Sequence, residues 1–320
     1  MTATPKAEVP THRVLPYSAL VGQHRICTAL ELAYVNPAIG GVLVVGQRGT
    51  AKSTAVRSFA MMASERLPVT LPLGATEDRV VGGWNVKSLL KGDAEEMRGL
   101  LEEAADSAGK LLYVDEVNLL DDHLVDLLLD VAASGILHTQ REGITAVRTD
   151  VDFTLVGTMN PDEGGLRPQL LDRFGLVAMA EPQSSDKERA EIIRAVMAFE
   201  EARQDPHSSY WETAKHDEKD LRELLNAARA ALPDVGYRDV VEPCARLAAR
   251  FEVVGHRGPV ALINAGAAMA ALREEDTVLP AHLRKVARLA LVHRRAKNQS
   301  DTIPAWTPED DQIVAEILAD

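Results

Sequence analysis

The segment from residue 42 to residue 54 constrains most narrowly how this chain can fold. The apolar run Val42–Val45 is followed by Gly46-Gln47-Arg48-Gly49-Thr50-Ala51-Lys52-Ser53-Thr54 and then by a helix-compatible stretch. A strand that ends in glycines can turn sharply, so that its backbone N–H groups and the next helix N-terminus face phosphate oxygens. The pattern predicts a nucleoside triphosphate loop, in which Lys52 neutralises the β and γ phosphates and the Ser53 hydroxyl holds Mg²⁺.

The loop departs from the usual pattern at one position. Ala51 stands directly before Lys52, where glycine is usual, and its methyl group is tolerated there if the residue is right-handed helical. A glycine-rich turn that binds nothing is the alternative for this motif by itself. The residues that we expect to bind the nucleotide are Val21 and Gly22, in a short loop before the first helix, and Gly46, Gly49, Thr50, Ala51, Lys52, Ser53, Thr54 and Asp115.

A second motif supplies acidic groups for the same site. The hydrophobic strand at residues 111–114 ends in Asp115 and Glu116, and ligands bind at the carboxyl ends of strands in open α/β sheets. We expect Asp115 to hold the hydrated Mg²⁺ and Glu116 to polarise the attacking water as general base. An ordinary acidic turn is the alternative, but a phosphate loop one crossover earlier favours catalysis because the two motifs complete one site.

Two further residues are candidates for contact with the γ-phosphate. Asn160 follows another apolar strand, where its amide could lie beside the phosphate and the lytic water, although Asn before Pro161 also often starts a turn. Arg173 lies in the run Leu166-Arg167-Pro168-Gln169-Leu170-Leu171-Asp172-Arg173-Phe174. Its position suggests an arginine finger directed at a neighbouring subunit's nucleotide. The alternative is an ion pair within its own chain, with Asp172 or another acid.

Composition narrows the class of protein. The net charge of -13 makes general nucleic-acid binding improbable, because such binding depends on Lys and Arg. The two cysteines, Cys27 and Cys244, are far apart and suggest neither a disulfide framework nor a metal site. An apolar segment after a basic start is absent, and so is an apolar run of about 18 residues that could span a membrane. We therefore expect a cytoplasmic protein.

The order of apolar runs predicts an α/β fold followed by a helical region. Five short runs, at residues 41–45, 69–71, 111–114, 153–157 and 176–179, read as buried strands with helical patterns between most of them. This alternation favours crossover connections and a parallel sheet. Only 4% of residues are aromatic, so the core must consist of aliphatic side chains, which suits helices packed on such a sheet.

We divide the chain into four parts. Residues 1–16 form a flexible N-terminus, and residues 17–183 form the nucleotide-binding α/β domain with an insert at 74–92 and a hairpin at 136–147. Residues 184–297 form an all-helical lid, with helical periodicity at 186–203, 219–232, 237–251, 259–272 and 280–297. Residues 298–320 form a tail whose short helix, opened by Thr307-Pro308-Glu309, carries an apolar stripe that we expect to dock on the lid.

The chain resembles the I subunit of magnesium chelatase, an AAA+ ATPase of the helix-2-insert, MoxR-related clade. The resemblance is carried by Pro72-Leu73-Gly74-Ala75-Thr76-Glu77-Asp78-Arg79, by residues 112–123 around Asp115-Glu116, and by residues 166–175; it extends from about Tyr17 to His293-Arg294-Arg295. The form is short, because residues 60–70 replace a longer stretch of the photosynthetic I subunit.

The resemblance implies a fold, a set of roles and an assembly. The fold is a five-stranded parallel sheet sandwiched by helices, followed by a helical lid. Walker A lies at 46–53, Walker B at Asp115 and Glu116, sensor 1 at Asn160, the arginine finger at Arg173 and the sensor 2 arginine at Arg257. The implied assembly is an ATP- and Mg²⁺-dependent homo-oligomer, a hexamer, that works with a D-type subunit carrying an integrin-like (VWA) domain and with a large catalytic subunit.

Two other functions remain open from the sequence. A MoxR-like AAA+ chaperone would remodel a different VWA-domain protein and would have no tetrapyrrole substrate. A nucleotide-dependent scaffold with feeble hydrolysis would resemble the degenerate ATPase domain of D-type subunits, although the intact Lys52, Asp115, Glu116 and Arg173 count against it.

Overall fold

The centre of the molecule is a five-stranded parallel sheet. The computed structural model describes residues 14–84, 96–141, 144–181, 185–205, 207–295 and 303–319. The sheet strands are β1 (Val42–Val45), β2 (Val69–Leu71), β5 (Leu111–Val114), β8 (Thr154–Met159) and β9 (Leu176–Met179), in the order β2-β5-β8-β1-β9. Every residue of β1, β5 and β8 is buried, as is typical of parallel strands covered on both faces.

Helices connect the strands and cover the sheet. They are α1 (His24–Val35), α2 (Lys52–Ser64), α3 (Glu77–Val81), α4 (Leu100–Ala105), α5 (Asp122–Ser134) and α6 (Pro168–Leu171). Short 3₁₀ turns lie at Tyr17–Ala19, Pro37–Ile39, Val117–Leu119 and Pro161–Glu163. Helices α1 and α2 pack on each other and on β8, and α5 packs on β8 and on α6. The predicted α/β sandwich is confirmed.

Two antiparallel pairs extend from the α/β part. Strand β3 (Gly82–Trp84) pairs with β4 (Glu96–Arg98) between α3 and α4. Strand β6 (Ile136–Arg141) pairs with β7 (Ile144–Asp150) directly before β8. Both pairs correspond to the predicted insert and hairpin, but residues 85–92 of the insert and the hairpin turn at 142–143 lie outside the described residues.

The second half of the chain is helical. Its helices are α7 (Asp186–Ala202), α8 (Ser209–Ala231), α9 (Val241–Arg250), α10 (Arg257–Ala271), α11 (Pro280–Leu291) and α12 (Pro308–Ile317), with 3₁₀ turns at Leu232–Asp234 and Arg238–Val240. Helix α8 begins ten residues before the predicted start at residue 219, and α11 ends before the predicted residue 297. In the described ranges, no helix is long and apolar enough to cross a bilayer.

The tail helix docks on the helical region, as its apolar stripe predicts. Val314 and Leu318 are buried, and the Trp306 ring lies 5.4 Å from the Phe251 ring. Thr307 and Asp310 form a capping box at the start of α12, a motif that satisfies two otherwise unpaired backbone N–H groups. The described part of the predicted tail is therefore an integral part of the helical region.

The helical region contacts the α/β part at the amino ends of its strands. Asn36, shortly before β1, donates to the Asn264 carbonyl of α10 at 3.1 Å, and Asn264 donates to the Ala38 carbonyl at 3.0 Å. Arg294, just after α11, holds the segment before β9, because its guanidinium donates to the carbonyl oxygens of Phe174 and Gly175. These contacts lie at the edge of the sheet opposite the carboxyl ends of the strands, because β1 and β9 are parallel.

Candidate nucleotide-binding site

The carboxyl ends of β1, β5 and β8 meet at one edge of the sheet and form a pocket of about 290 Å³. The loop after β1, Asp115 and Glu116 after β5, and Asn160 after β8 each contribute to it. The lining residues are Arg48, Gly49, Thr50, Ala51, Lys52, Ser53, Thr54, Asp115, Glu116 and Asn160. The fold thus brings together two motifs and one asparagine that span more than 100 residues of the sequence.

The phosphate loop is closed on itself by Lys52. Its ammonium donates to the carbonyl oxygens of Gly46 and of Gln47, the latter at 2.8 Å. A Cβ at Gly46 would lie 2.5 Å from the Ala180 Cβ, so this position accepts no side chain. Burial lowers the pKa of Lys52, and nearby carboxylates, Asp115 first, offset part of that effect. The Lys52 ammonium is thus close to the carboxylates of the pocket. A charged donor in this position suits hydrogen bonds to phosphate oxygens.

Ala51 does not have the right-handed conformation in which its methyl group would be tolerated without strain. Its φ of 59° and ψ of 19° are left-handed, and it is the N-cap of α2. Residue 51 reverses the chain from the loop into the helix, so the turn falls on Ala51 itself. Left-handed backbone costs an L-residue about 1–2 kcal/mol, which explains the usual preference for glycine here.

Ser53 and Asp115 face each other across the pocket. The Ser53 hydroxyl lies 3.2 Å from Asp115 Oδ1, and the Thr158 hydroxyl on the neighbouring strand β8 donates to the same oxygen at 2.6 Å. Burial alone would raise the pKa of Asp115, but hydrogen bonds from Thr158, Tyr113 and Ser53 outweigh it and lower the pKa. The carboxylate is therefore kept ionised, as a magnesium-binding group must be.

Glu116 follows in a strained backbone conformation. Its φ is 54°, which is rare for a residue other than glycine, and its backbone N–H donates to the Thr158 hydroxyl at 3.1 Å. Strain of this kind is found where surrounding structure holds a functional side chain in place. Asn160 is buried and accepts from the Asp162 backbone N–H at 3.2 Å, so it also starts a turn, and the two sequence interpretations are compatible.

An ion pair joins the phosphate loop to the loop after β8. Arg48 of the phosphate loop pairs with Glu163, which comes three residues after Asn160. The other carboxylate oxygen of Glu163 is buried without a hydrogen-bond partner in the described structure. Asn118 donates to the Gly164 carbonyl at 3.2 Å and so ties the loop after Glu116 to the loop after Asn160. These contacts hold the carboxylates and the asparagine in one fixed arrangement.

Comparison with known proteins places this geometry in a family. Residues 41–174 match the AAA domain of the dynein-related subfamily, and residues 241–317 match an AAA lid domain. The "Magnesium-chelatase 38 kDa subunit" of Cereibacter sphaeroides is 39% identical over 337 aligned positions that include 95% of this chain and 98% of that protein. The chain belongs to the magnesium chelatase I-subunit family. As a member of this AAA+ family it is an ATPase.

Two further proteins are similar to this chain, one in sequence and one in fold. An uncharacterised protein of Mycobacterium tuberculosis, Rv2850c, is 45% identical over 294 residues, and the chain spans 46% of its length. A crystal structure from Cytophaga hutchinsonii covers 95% of the chain with a TM-score of 0.63 at 19% identity. Because the identity to the Cytophaga hutchinsonii protein is only 19%, this comparison shows a shared fold alone.

The structure does not bring Arg173 to the pocket of its own chain. Arg173 pairs with Asp126, at 3.1 Å, and with Asp130, both on α5. In this structure Arg173 therefore forms an ion pair within its own chain, which is the alternative that the sequence left open, and its partners are acids other than Asp172. Arg173 lies shortly before β9, at the opposite edge of the sheet from the phosphate loop.

Arg257 lies at that same opposite edge. It is the first residue of α10, and its guanidinium is 3.7 Å from Asp172. Neither arginine lines the pocket of this chain. In contrast, Val21 and Gly22 precede α1, whose Arg25 pairs with Glu181 after the carboxyl end of β9, so they lie at the edge of the phosphate loop.

Several site residues could not be assigned from the sequence. Thr158 is the most important, since it contacts both Asp115 and Glu116, and its signal in the sequence is that it lies near the end of an apolar strand, two residues before Asn160. Glu163 and Arg48 carried no recognisable pairing signal, because their contact joins two separate loops. In this chain, these residues extend the set that the motifs define.

Proposed function

We propose that the chain binds MgATP between adjacent copies of itself and acts as the motor subunit of a magnesium-chelatase-like complex. The observation that carries the proposal is the single pocket in which Lys52, Ser53, Asp115, Glu116 and Asn160 converge. Hydrolysis at this pocket would drive remodelling of a partner protein that takes part in metal insertion.

The donors present fit Mg²⁺ and a triphosphate. Ser53 and Asp115 offer hard oxygen ligands at hydrogen-bond distance from each other, a set that suits Mg²⁺ held by one carboxylate and substrate phosphates. When bound, the ion would neutralise charge on the phosphate oxygens. Lys52 and the loop N–H groups, from Gly46 to Thr54, would hold the β and γ phosphates.

Glu116 and Asn160 would act on the water. Glu116 accepts the proton of the attacking water as general base, and the Asn160 amide orients that water and the γ-phosphate. Thr158 holds the Glu116 backbone, so the carboxylate has a defined position relative to Asp115. The pocket of one chain therefore contains the groups for binding and for activation of water.

The adenine would lie near Val21 and Gly22. These two residues form the loop before α1, which lies at the same edge of the sheet as the phosphate loop because Arg25 of α1 pairs with Glu181 after β9.

A second copy would complete the site. The charge that develops on the γ-phosphate needs a cation beyond Lys52, whereas Arg173 and Arg257 both lie at the far edge of their own sheet. We therefore assign both arginines to the nucleotide of the adjacent subunit, Arg173 as arginine finger and Arg257 as sensor 2. A closed ring, which we propose to be a hexamer, gives every subunit one such neighbour.

The test uses three variants and their mixtures. Lys52→Ala should lose nucleotide binding, and Glu116→Gln should bind ATP but hydrolyse it slowly, both measured with a fluorescent ATP analogue and by phosphate release. Arg173→Ala alone should be inactive, but mixing it with Glu116→Gln should restore activity, because Glu116→Gln subunits still supply the finger. Normal hydrolysis by Glu116→Gln, or an inactive mixture, would contradict the assignments.

The partners are proposed from the family. We propose a D-type subunit with a VWA domain and a large catalytic subunit that inserts the metal. The second candidate is a MoxR-like chaperone for another VWA-domain protein, favoured by the connection between Ser64 and Val69, which is only residues 65–68. Reconstitution separates them: the first requires ATP-dependent metalation of a porphyrin with all three subunits, and the second requires only ATPase stimulation by the VWA-domain protein.

A further inference from the structure

Arg294, just after α11, buries its guanidinium in the α/β part. Its side chain is 1% exposed, and it donates to Asp172 Oδ1 at 3.1 Å and to the carbonyl oxygens of Asp172 at 2.7 Å, Phe174 at 2.7 Å and Gly175 at 2.9 Å. A further bond, 2.7 Å long, reaches the Ala290 carbonyl near the end of α11. Apart from that bond, these contacts end on residues 172–175, the segment that contains Arg173.

The contacts account for the burial of the charge. Desolvation lowers the pKa of Arg294 to about 10, so the group remains protonated at neutral pH. A buried guanidinium without partners is strongly destabilising, and the planar fork of arginine reaches several carbonyl oxygens that an ammonium group cannot reach together. The backbone on both sides of Arg173 is thus fixed to the helical region.

Two further contacts fix the same segment. His293 Nε2, next to Arg294 in the chain, lies 3.0 Å from the Phe174 carbonyl oxygen. A Cβ at Gly175 would lie 1.8 Å from the Ile39 carbonyl oxygen, so the segment packs directly on the turn before β1. Residues 172–175 therefore have little freedom to move relative to either layer.

Asp172 also connects this segment with Arg257. Its Oδ1 accepts from Arg294, and its Oδ2 is 3.7 Å from the Arg257 guanidinium. The two arginines proposed to act on a neighbour's nucleotide are therefore placed by one carboxylate: Arg173 by adjacency in the chain and Arg257 by charge.

We propose that Arg294 and Asp172 are positioning residues, which join the helical region to the Arg173 segment so that Arg173 and Arg257 approach the adjacent subunit's nucleotide as one unit. Neither residue lines the nucleotide pocket of its own chain. The inference rests on the proposed function, specifically on Arg173 acting in trans.

The test measures where in a mixed ring the defect acts. Arg294→Lys keeps the charge but loses the fork, so we expect kcat to fall on the order of 10- to 100-fold, as misplacement of a catalytic group by about 1 Å does. KM and the affinity for a fluorescent ATP analogue should stay within about twofold, because the pocket of the same chain is intact. Mixing with Glu116→Gln should restore activity, whereas mixing with Arg173→Ala should not.

Each outcome decides the proposal. Normal kcat for Arg294→Lys overturns it. So does a failure of Glu116→Gln to restore Arg294→Lys while it restores Arg173→Ala, since Arg294 would then serve its own subunit's site. If Glu116→Gln restores neither, the finger assignment itself is wrong and the inference falls with it.

Two variants separate positioning from simple folding. Asp172→Asn keeps the volume and leaves the carbonyl acceptors of Arg294, so it should fold and show the same restoration pattern with a smaller loss of kcat; full kcat, or a loss without restoration, contradicts the proposal. Arg295→Lys is the matched control, because the adjacent arginine instead holds Asp310 and, at 2.6 Å, the Ala305 carbonyl of the tail. It should lower the melting temperature without lowering kcat.

Discussion

At the scale of single residues, the pocket is built around two left-handed backbone positions. Ala51 has a φ of 59° and Glu116 a φ of 54°. Each is the N-cap of a helical turn, Ala51 after the phosphate loop and Glu116 after Asp115, and the chain changes direction at that residue. The cost of each is of order 1–3 kcal/mol and is offset by surrounding contacts, which for Glu116 include the Thr158 hydroxyl.

Ala51→Gly should stabilise the protein. Glycine adopts left-handed backbone without the Cβ penalty, so we expect the free energy of unfolding to rise by about 1 kcal/mol in urea denaturation. Ala60→Gly, in the interior of the same helix, is the control and should lower it by about 1 kcal/mol or more. A loss of stability in Ala51→Gly would show that the left-handed turn is not held in solution.

Thr158→Val should lower stability in a pH-dependent way. The variant keeps the buried volume but leaves the Asp115 carboxylate with fewer donors, which costs about 1–3 kcal/mol at neutral pH. Because the folded pKa of Asp115 is lowered, its contribution is complete above the ordinary pKa and is lost as pH falls through the lowered one. The difference from wild type should therefore shrink below about pH 4.

The measurement is urea unfolding of both proteins at a series of pH values. Thr154→Val provides the control, since this buried hydroxyl on the same strand donates to the Ala33 carbonyl at 3.3 Å and not to a carboxylate. Its effect should not change with pH. A Thr158→Val deficit that is equally constant would mean that the hydroxyl does not act through the ionisation of Asp115.

At the scale of elements, strands were more predictable than helix starts. The five sheet strands read as continuous apolar runs because both of their faces are buried, and β1, β5 and β8 are buried throughout. The start of α8 was missed because its first turns carry many polar residues, while its N-cap, Ser208, is a signal that the sequence does contain.

The site was predictable where its residues are consecutive. The phosphate loop and Asp115-Glu116 are short motifs with a mechanism, whereas Thr158, Glu163 and Arg294 act through contacts between distant segments. Ala51 shows the limit within a motif, since its residue type does not reveal the sign of φ. Pairing across strands and loops is set by the tertiary fold.

Weaker docking of the tail helix α12 should lower the stability of the helical region alone. Leu318 is 1% exposed, and Leu318→Ala should lower the stability of that region by about 2–5 kcal/mol. Hydrogen exchange in α9, which packs on α12, should rise. Affinity for an ATP analogue should stay unchanged; Glu316→Ala, on the exposed face, is the control. Protection in α9 equal to wild type would contradict the docking.

At the scale of the whole molecule, the two edges of the sheet have different tasks. One edge carries the phosphate loop and the acids, while Arg173 and Arg257 lie at the other, next to the contacts with the helical region. In this conformation, a single chain therefore cannot bring its own Arg173 and Arg257 to its own pocket. Assembly of copies edge to edge is the arrangement that would unite the two halves of the site.

Such assembly would require Arg173 to leave Asp126 and Asp130, which yields a prediction for the ring. Partly exposed pairs contribute about 0.2–1 kcal/mol each, so removing them in an Asp126→Asn, Asp130→Asn double variant should ease assembly. In a Glu116→Gln background with MgATP, sedimentation velocity should show assembly at protein concentrations up to about tenfold lower.

The control is Glu200→Gln with Glu223→Gln, which makes the same charge change at the surface pairs with Arg203 and Lys219 and should have no such effect. Assembly that is unchanged or weaker in the double variant would mean that Arg173 keeps its own carboxylates in the ring.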